Sequence, residues 1–204
     1  AVTIIGESEK TVGVQVEADT KVKANGNLNI TGKSTGLSGA QGVKLFSGIN
    51  NQKYGASLES TNGSVLIKGI SNASIAIDVG TLDTPQPAYA PGVTIKAGKD
   101  ITLDGEGKIG GVRTLGESVL TAGSTSVPGD IKITGTATAG DGVNFYRFPK
   151  AARFSASNNI TIEGTASGSI GSGFLSTTSD KNGQAPMFNA GGTFSLTEIG
   201  RAHV

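Results

Sequence analysis

One short phrase recurs along the chain and restricts the folds that this sequence can adopt. It consists of an apolar-x-apolar pair, a turn of small residues rich in Gly and Asn, and a second apolar-x-apolar pair. The phrase occurs at residues 22–30, 58–67, 95–103, 154–162 and 188–196. Self-similarity at intervals of roughly 20–50 residues is typical of repeat architectures. The repeat also favours a function that uses a long exposed surface over one that uses a buried active site.

Each repeat contains a third short strand, which usually follows a glycine. Such strands are expected at residues 43–45, 75–77, 143–145 and 174–175, and less clearly at 112–115. The second apolar pair of successive repeats begins at Leu28, Val65, Ile101, Ile131, Ile160 and Phe194, with spacings of 37, 36, 30, 29 and 34 residues. Three strands per repeat, each above its equivalent in the preceding repeat, predict an all-β fold: a right-handed parallel β-helix of about six three-stranded coils.

Two other architectures fit the sequence badly. Gly, Asn, Ser and Thr interrupt every candidate helical window, and no apolar stripe of helical period persists. The units also do not pair as two strands around a two-residue Asn-Gly or Asp-Gly loop, as hairpins would. In a β-helix, by contrast, one coil cannot bury its inner face alone, whereas stacked coils bury a continuous narrow core.

The residue types suit that geometry. Both apolar residues of a pair should point inward, and the residue between them should point to solvent. Five of the six intervening residues are polar; the set is Asn29, Leu66, Thr102, Lys132, Thr161 and Ser195. Small side chains are expected where the chain turns tightly, at Ala24, Ala97, Ala156 and Ala190. Gly and Asn in the turns are expected to supply positive φ angles.

The repeat region is expected to form a single domain over residues 1–197. Two stretches depart from the rhythm and are predicted to be inserted loops, at 47–55 and at 81–92, the latter containing three prolines. The segment Glu198-Ile-Gly-Arg-Ala-His-Val204 breaks the repeat and resembles the translation of a sequencing-library adapter. We therefore expect residues 198–204 to be a non-native tail on a piece of a longer protein, and we assign no chemistry to His203.

Composition excludes several functional classes. The chain has no cysteine, so neither a disulfide scaffold nor a Cys-ligated metal site is possible. Its net charge of +1 gives no electrostatic reason to expect nucleic acid or an anionic membrane as a partner. No apolar run approaches the roughly 18 residues that a membrane helix needs. We also expect no bound metal, since no Gly-Gly-x-Gly-x-Asp calcium motif occurs.

A glycine motif and the acidic residues are the first candidates for chemistry. Residues 105–110 match the Gly-x-Gly-x-x-Gly spacing of dinucleotide-binding loops, but the residues that follow predict no helix to receive a pyrophosphate. We therefore interpret this motif as a turn, with no cofactor.

The aspartates are Asp78, Asp83, Asp100, Asp104, Asp130, Asp141 and Asp180, apart from Asp19 near the N-terminus. Glycosidic cleavage needs two facing carboxylates. Only Asp100 and Asp130 occupy equivalent positions in their repeats, and Asn27 and Asn159 fill the same position in others. That pattern indicates a turn cap or a ladder of side chains, so we expect no catalytic residues and no enzymatic activity.

One stretch concentrates aromatic and basic residues. It includes Tyr146, Arg147, Phe148 and Lys150, which could form a sugar- or protein-contacting patch through aromatic stacking and hydrogen bonds. The alternative is structural. It places Phe145 and Phe154 in the core and the remaining residues in a loop, with Tyr146 and Arg147 as the best candidates for surface contact.

The strings Ala-Gly-Lys-Asp-Ile-Thr-Leu at 97–103 and Ser-Asn-Asn-Ile-Thr-Ile-Glu-Gly-Thr-Ala-Ser-Gly at 157–168 resemble the repeats of filamentous-haemagglutinin-type exoproteins. Gly-Asp-Gly-Val-Asn-Phe at 140–145 has the same style. These are large two-partner-secretion adhesins and contact-dependent inhibition proteins of Gram-negative bacteria. The resemblance covers about residues 14–197 and implies a β-helical shaft, export by an outer-membrane partner transporter, and a location at the bacterial cell surface or outside the cell.

The resulting functional prediction is a non-enzymatic shaft segment of a secreted adhesin that mediates or presents cell adhesion. Its expected partners are the transporter and a glycan or protein receptor on a host or neighbouring cell. An autotransporter passenger is the alternative within the same class. A β-helical polysaccharide lyase or hydrolase is the alternative from a different class.

Overall fold

The computed structural model describes residues 1–36, 39–47, 54–81, 92–115, 117–147, 152–178 and 184–200, and for residues 81, 147, 177 and 178 it describes the backbone alone. These segments contain strands and turns but no helix, and therefore no helix that could cross a membrane. No residue in them forms a cis peptide bond.

The strands are short, between three and seven residues, and follow one another at regular intervals. In chain order they are β1 (Val2–Ser8), β2 (Val14–Val16), β3 (Lys21–Ala24), β4 (Leu28–Ser34), β5 (Val43–Phe46), β6 (Ser57–Ser60), β7 (Val65–Ser71), β8 (Ile75–Thr81), β9 (Thr94–Ala97), β10 (Ile101–Gly107), β11 (Gly110–Leu115), β12 (Val119–Ala122), β13 (Ile131–Ala137), β14 (Asp141–Arg147), β15 (Arg153–Ala156), β16 (Ile160–Ala166), β17 (Phe174–Thr178), β18 (Met187–Ala190) and β19 (Phe194–Ile199).

Every third strand belongs to the same sheet, and all pairings are parallel. The first sheet has the order β1-β4-β7-β10-β13-β16-β19, the second β2-β5-β8-β11-β14-β17, and the third β3-β6-β9-β12-β15-β18. The chain is therefore a parallel β-helix, or β-solenoid, as the sequence predicts. The predicted right-handed winding is the sense that parallel strand crossovers adopt in almost all proteins.

The predicted count of about six coils is slightly off. The first sheet has a seventh strand, because β1 pairs with β4 through Val2 opposite Leu28 and Ile4 opposite Ile30. The sequence alignment began at Leu28 and left out this N-terminal pair. It also omitted β12, where Leu120 lies opposite Ile95 and Phe154. The segment 112–115, the least regular of the expected third strands, does lie in β11.

Alternation within the strands separates a dry interior from the solvent, as predicted. In β4, for example, Leu28 and Ile30 are fully buried whereas Asn29 and Thr31 between and after them are partly exposed. Because the pairing keeps each position in register from coil to coil, the inward residues form continuous columns of Leu, Ile, Val and Phe. Buried apolar area at about 25 cal/mol per Å² is the main source of stability in such a core.

Glycine supplies positive φ angles as predicted, Asn in the described segments does not, and glycine also has a second role that the sequence did not indicate. Among the described residues, positive φ angles occur at Gly39, Gly80, Gly123, Gly171 and, as the single non-glycine, Asp19; no Asn adopts one. The second role is that of the glycine column in the first sheet, which allows two backbones to approach closely. It contains Gly6, Gly32, Gly69, Gly105, Gly135 and Gly164 in register.

A side chain in the glycine column would collide with the strand that follows in the second sheet. A Cβ atom on Gly135 would meet the carbonyl oxygen of Gly142, and would lie 2.7 Å from its carbonyl carbon. This explains the Gly-x-Gly-x-x-Gly motif: Gly105 and Gly107 lie in β10 and Gly110 begins β11, so only the middle of the motif is a turn. No helix begins there, as expected.

Phenylalanine fills the C-terminal part of the core. Phe145 and Phe154 are almost completely buried, and their ring centroids are 4.9 Å apart. Rings from β17, β18 and β19 continue the cluster at centroid distances of 5.0 to 5.6 Å. Inward-facing residues of β19 are less covered, with Phe194 46% and Leu196 44% exposed.

The predicted loops and tail lie partly outside the described residues. Within 47–55 and 81–92, residues 48–53 and 82–91 are not described, and Thr81 belongs to β8. Glu198 and Ile199 continue β19 in register with β16. Glu198 nevertheless occupies the position that Gly fills in the other six strands of the first sheet. Residues 201–204, including His203, are outside the described part.

Replacing Gly135 with Ala should destabilise the fold by about 3 kcal/mol, because the new methyl group overlaps the backbone of residue 142 and the coils must separate locally. Gly26→Ala is the matched control, since the nearest atom to a Cβ there is the Ala1 nitrogen at 3.6 Å. Urea unfolding of both variants measures the difference. Equal stabilities would contradict the close approach.

Replacing Thr114 with Val should stabilise the fold by about 1 kcal/mol, because the Thr114 hydroxyl is fully buried and has no hydrogen-bond partner in the described part of the chain. Ser71→Ala should have the opposite effect, since that hydroxyl donates to the Ala40 carbonyl at 2.7 Å and accepts from the Ser74 amide at 2.9 Å. Thermal unfolding compares the two. A stabilised Ser71→Ala variant would refute this account of buried hydroxyls.

Candidate functional site

The outer face of the first sheet carries ion pairs between neighbouring strands. Lys33 contacts Glu7 at 2.5 Å, and Lys132 contacts Glu163 at 3.1 Å. These are exposed ion pairs, each contributing about 0–1 kcal/mol. They balance charge locally between the strands that carry them.

Asp100 and Asp130 belong to a ladder of polar side chains where the third sheet turns into the first. This corner ladder has the members Asn27, Ser64, Asp100, Asp130, Asn159 and Thr193. The Asp130 amide donates to Oδ1 of Asp100 at 3.0 Å, and the Asn159 amide donates to Oδ1 of Asp130 at 2.8 Å. Each side chain thus accepts from the backbone of the next coil. The two aspartates have the structural role that their alternation with Asn indicates.

The remaining described aspartates are also engaged. Asp78 is fully buried, and Arg113 on the adjacent strand donates to both of its oxygens, at 3.0 and 2.6 Å. Asp141 accepts from Asn144 at 2.9 Å and from the Ser172 amide at 2.9 Å. Asp104 lies 4.0 Å from Lys68 on the outer face. Asp83 and Asp180 are outside the described residues.

The aromatic and basic stretch is divided between core and surface. Phe145 is in the core, as the structural interpretation predicts. Tyr146 and Arg147 are not in a loop, because β14 extends to Arg147; Tyr146 is half-buried opposite Leu115. The strand register places Tyr146 on the outer face, since it directly follows the inward Phe145. Phe148 and Lys150 lie outside the described residues, so the proposed patch stays a prediction.

A groove that the sequence analysis did not predict runs along the corner between the second and third sheets. We call it the Tyr54 groove; it has a volume of about 550 Å³ and spans four coils. Its floor is Gly55 and Gly92, and its ends are Asp19, which is exposed, and Glu117, whose Oε1 is buried. The wall on the third sheet consists of Lys21, Ser57, Thr94 and Val119, which are in register.

The groove exists because two adjacent coils have glycine where the flanking coils have acidic side chains. Gly92 admits no side chain, because a Cβ atom there would lie 2.5 Å from the Ser118 nitrogen and even closer to the backbone carbonyl group of Glu117. The sequence did contain one indication. Tyr54 is an aromatic residue in the segment 47–55, which otherwise has the composition of a loop.

A second groove of about 350 Å³ lies on the opposite edge of the third sheet and is lined by Glu59, Lys96 and Lys99, among others. One wall is the loop at residues 123–129, whose Val127 and Pro128 are exposed. None of the described residues that line this groove is aromatic. It therefore differs in chemistry from the Tyr54 groove.

The described residues thus form a β-solenoid with at least two surface grooves. No match to the chain is found among protein families, curated proteins or solved structures. Within the described segments, no group of three or more His, Asp or Glu side chains could hold a metal ion. The physical arrangement of the surface is accordingly the basis for the function proposed below.

Replacing Asp130 with Ala should cost about 2 kcal/mol of stability, because the side-chain amide of Asn158 and the backbone amide of Asn159 both lose an acceptor at 2.8 Å. Asp130→Asn retains an oxygen at the same place and should be nearly neutral. Chemical unfolding of both variants tests the corner ladder. A large cost for Asp130→Asn would mean that the negative charge itself matters.

Glu59 provides a prediction on pH. Hydrogen bonds from the Lys21 and Lys23 ammonium groups hold the pKa of Glu59 below its usual value. The stabilisation is therefore present above the pKa of Glu in the unfolded chain and is lost as pH falls through the lower folded-state pKa. Carboxyl NMR titration should show the depressed pKa, and replacing both lysines with Met should return it toward the usual value. An unchanged pKa would exclude the lysines as its cause.

Proposed function

We propose that this chain is a non-enzymatic shaft segment of a large secreted bacterial surface adhesin, which mediates or presents cell adhesion. The observation that carries the proposal is the unbroken coil-to-coil register: the same pairings repeat from β1 to β19 in the first sheet. With strands about 4.8 Å apart, the seven strands of that sheet extend roughly 29 Å along the axis. Such a stack acts as a stiff spacer without disulfides.

The resemblance of the repeats to filamentous-haemagglutinin-type exoproteins supports the cellular setting of this proposal. It suggests export by an outer-membrane partner transporter and a place at the surface of a Gram-negative cell. Successive coils can form as the chain emerges, since each strand pairs with one that is already in place. An autotransporter passenger would use the same property, so it stays the alternative within this class.

The enzymatic alternative is less well supported by the placement of the carboxylates. Glycosidases need two carboxyl groups about 5–9.5 Å apart. In the Tyr54 groove, Asp19 and Glu117 are separated by three coil spacings, or about 14 Å. Asp100 and Asp130 lie on adjacent coils, but their oxygens accept hydrogen bonds from backbone amides.

Incubation with polysaccharides tests the proposal. The purified chain should release neither unsaturated nor reducing ends from polygalacturonate, xylan or glucomannan over a range of pH. If ends are released and the activity disappears in an Asp19→Asn, Glu117→Gln double variant, the shaft function is wrong and a lyase or hydrolase takes its place. Buffer without protein and a heat-denatured sample control for spontaneous cleavage.

A further inference from the structure

We propose that the Tyr54 groove binds a short neutral oligosaccharide that lies parallel to the axis of the β-helix. This rests on the proposed adhesin function and assigns it a contact site within the shaft. The groove's volume of about 550 Å³ falls in the range of small-molecule sites. Its four coils could accommodate several sugar units, since one pyranose is about as long as the spacing between coils.

The first argument is the exposed aromatic ring at the rim. Tyr54 is 62% exposed. Its backbone is fixed on both sides: its amide donates to Oδ1 of Asp19 at 2.7 Å, and its carbonyl accepts from the Asp19 amide at 3.0 Å. A large aromatic side chain with a fixed backbone next to a groove offers a flat apolar surface and a hydroxyl. The apolar face of a pyranose ring complements that surface.

The second argument is backbone strain at the same place. Asp19 has a φ of 59°, the single positive value at a non-glycine residue in the described segments. Residues in such conformations concentrate at ligand sites, where the surrounding contacts hold them. Here the strained conformation places the Asp19 carboxylate on the Tyr54 amide and at the end of the groove.

The third argument concerns charge and hydrogen bonding. Asp19 and Glu117 place acidic groups at both ends of the groove, and Lys21 is bound to Glu59 at 3.1 Å. An anionic polymer would therefore meet acidic groups, while Lys21, the one lysine among the described lining residues, is already paired with Glu59. Sugar hydroxyl groups can instead donate to the exposed Asp19 carboxylate and pair with the hydroxyls of Ser57 and Thr94, which are in register on adjacent strands.

Ligand-observed NMR, followed by calorimetry, tests the site with four neutral probes: cellotetraose, mannotetraose, galactotetraose and xylotetraose. At least one should bind. Tyr54→Ala should weaken that binding at least about tenfold by removing the stacking surface, whereas Tyr54→Phe should keep it within about twofold. Thr94→Trp should abolish binding by filling the groove from an exposed strand position. Thr102→Trp, on the outer face of the first sheet, is the matched control and should bind as the unchanged chain does.

Three results would overturn the site: no binding of any neutral probe, preferential binding of trigalacturonate, or undiminished binding by Thr94→Trp. Circular dichroism of each variant establishes that the fold is retained, and a second blocking variant, Ser57→Trp, replaces Thr94→Trp if that chain fails to fold. Release of reducing ends from a bound probe would contradict the non-enzymatic function instead. Absence of binding with no such release would remove the groove proposal and leave the shaft function untouched.

Discussion

Backbone hydrogen bonding between successive coils, in constant register, is the constraint on which the rest of this structure depends. It places each residue about 4.8 Å from its equivalents above and below. Ile101, for example, lies between Val65 and Ile131 and inherits their buried surroundings. Equivalent positions in successive coils therefore favour the same residue type. An unfavourable substitution in one coil disturbs the packing of the coils on both sides.

Side chains strengthen this arrangement at the corners, where strand pairing stops. The corner ladder continues hydrogen bonding through the turn by connecting each side-chain oxygen to the amide of the next coil. At the next corner the glycine column brings the first and second sheets into backbone contact. Together these two features close two of the three corners of the coil. The groove beside Tyr54 occurs at the remaining corner, where glycines replace larger side chains.

Much of the fold could be predicted because its determinants are local and repeated. The two-residue spacing of Leu28 and Ile30 is enough to predict that both side chains point inward. The position that Asp100 and Asp130 share with Asn27 and Asn159 predicts the corner ladder. The role of the glycine column was not predicted. The sequence shows that Gly135 lacks a side chain, but it does not show which backbone carbonyl lies where a Cβ atom would be. The groove was missed for a similar reason. Asp19 and Glu117 are almost a hundred residues apart, and only the stacking of four coils places them in one column.

The corner between the third and first sheets has three or four residues in most coils but eight, residues 123–130, between β12 and β13. The pairing of β10 with β13 is nevertheless complete over seven residues. Extra length at a corner is thus confined to the surface and is not transmitted to the neighbouring coils. Recognition segments could be exchanged, lengthened or removed there during evolution without redesign of the interior. The corner segments consequently determine the surface and the strands determine the core. Either part of a repeat can vary while the other stays the same.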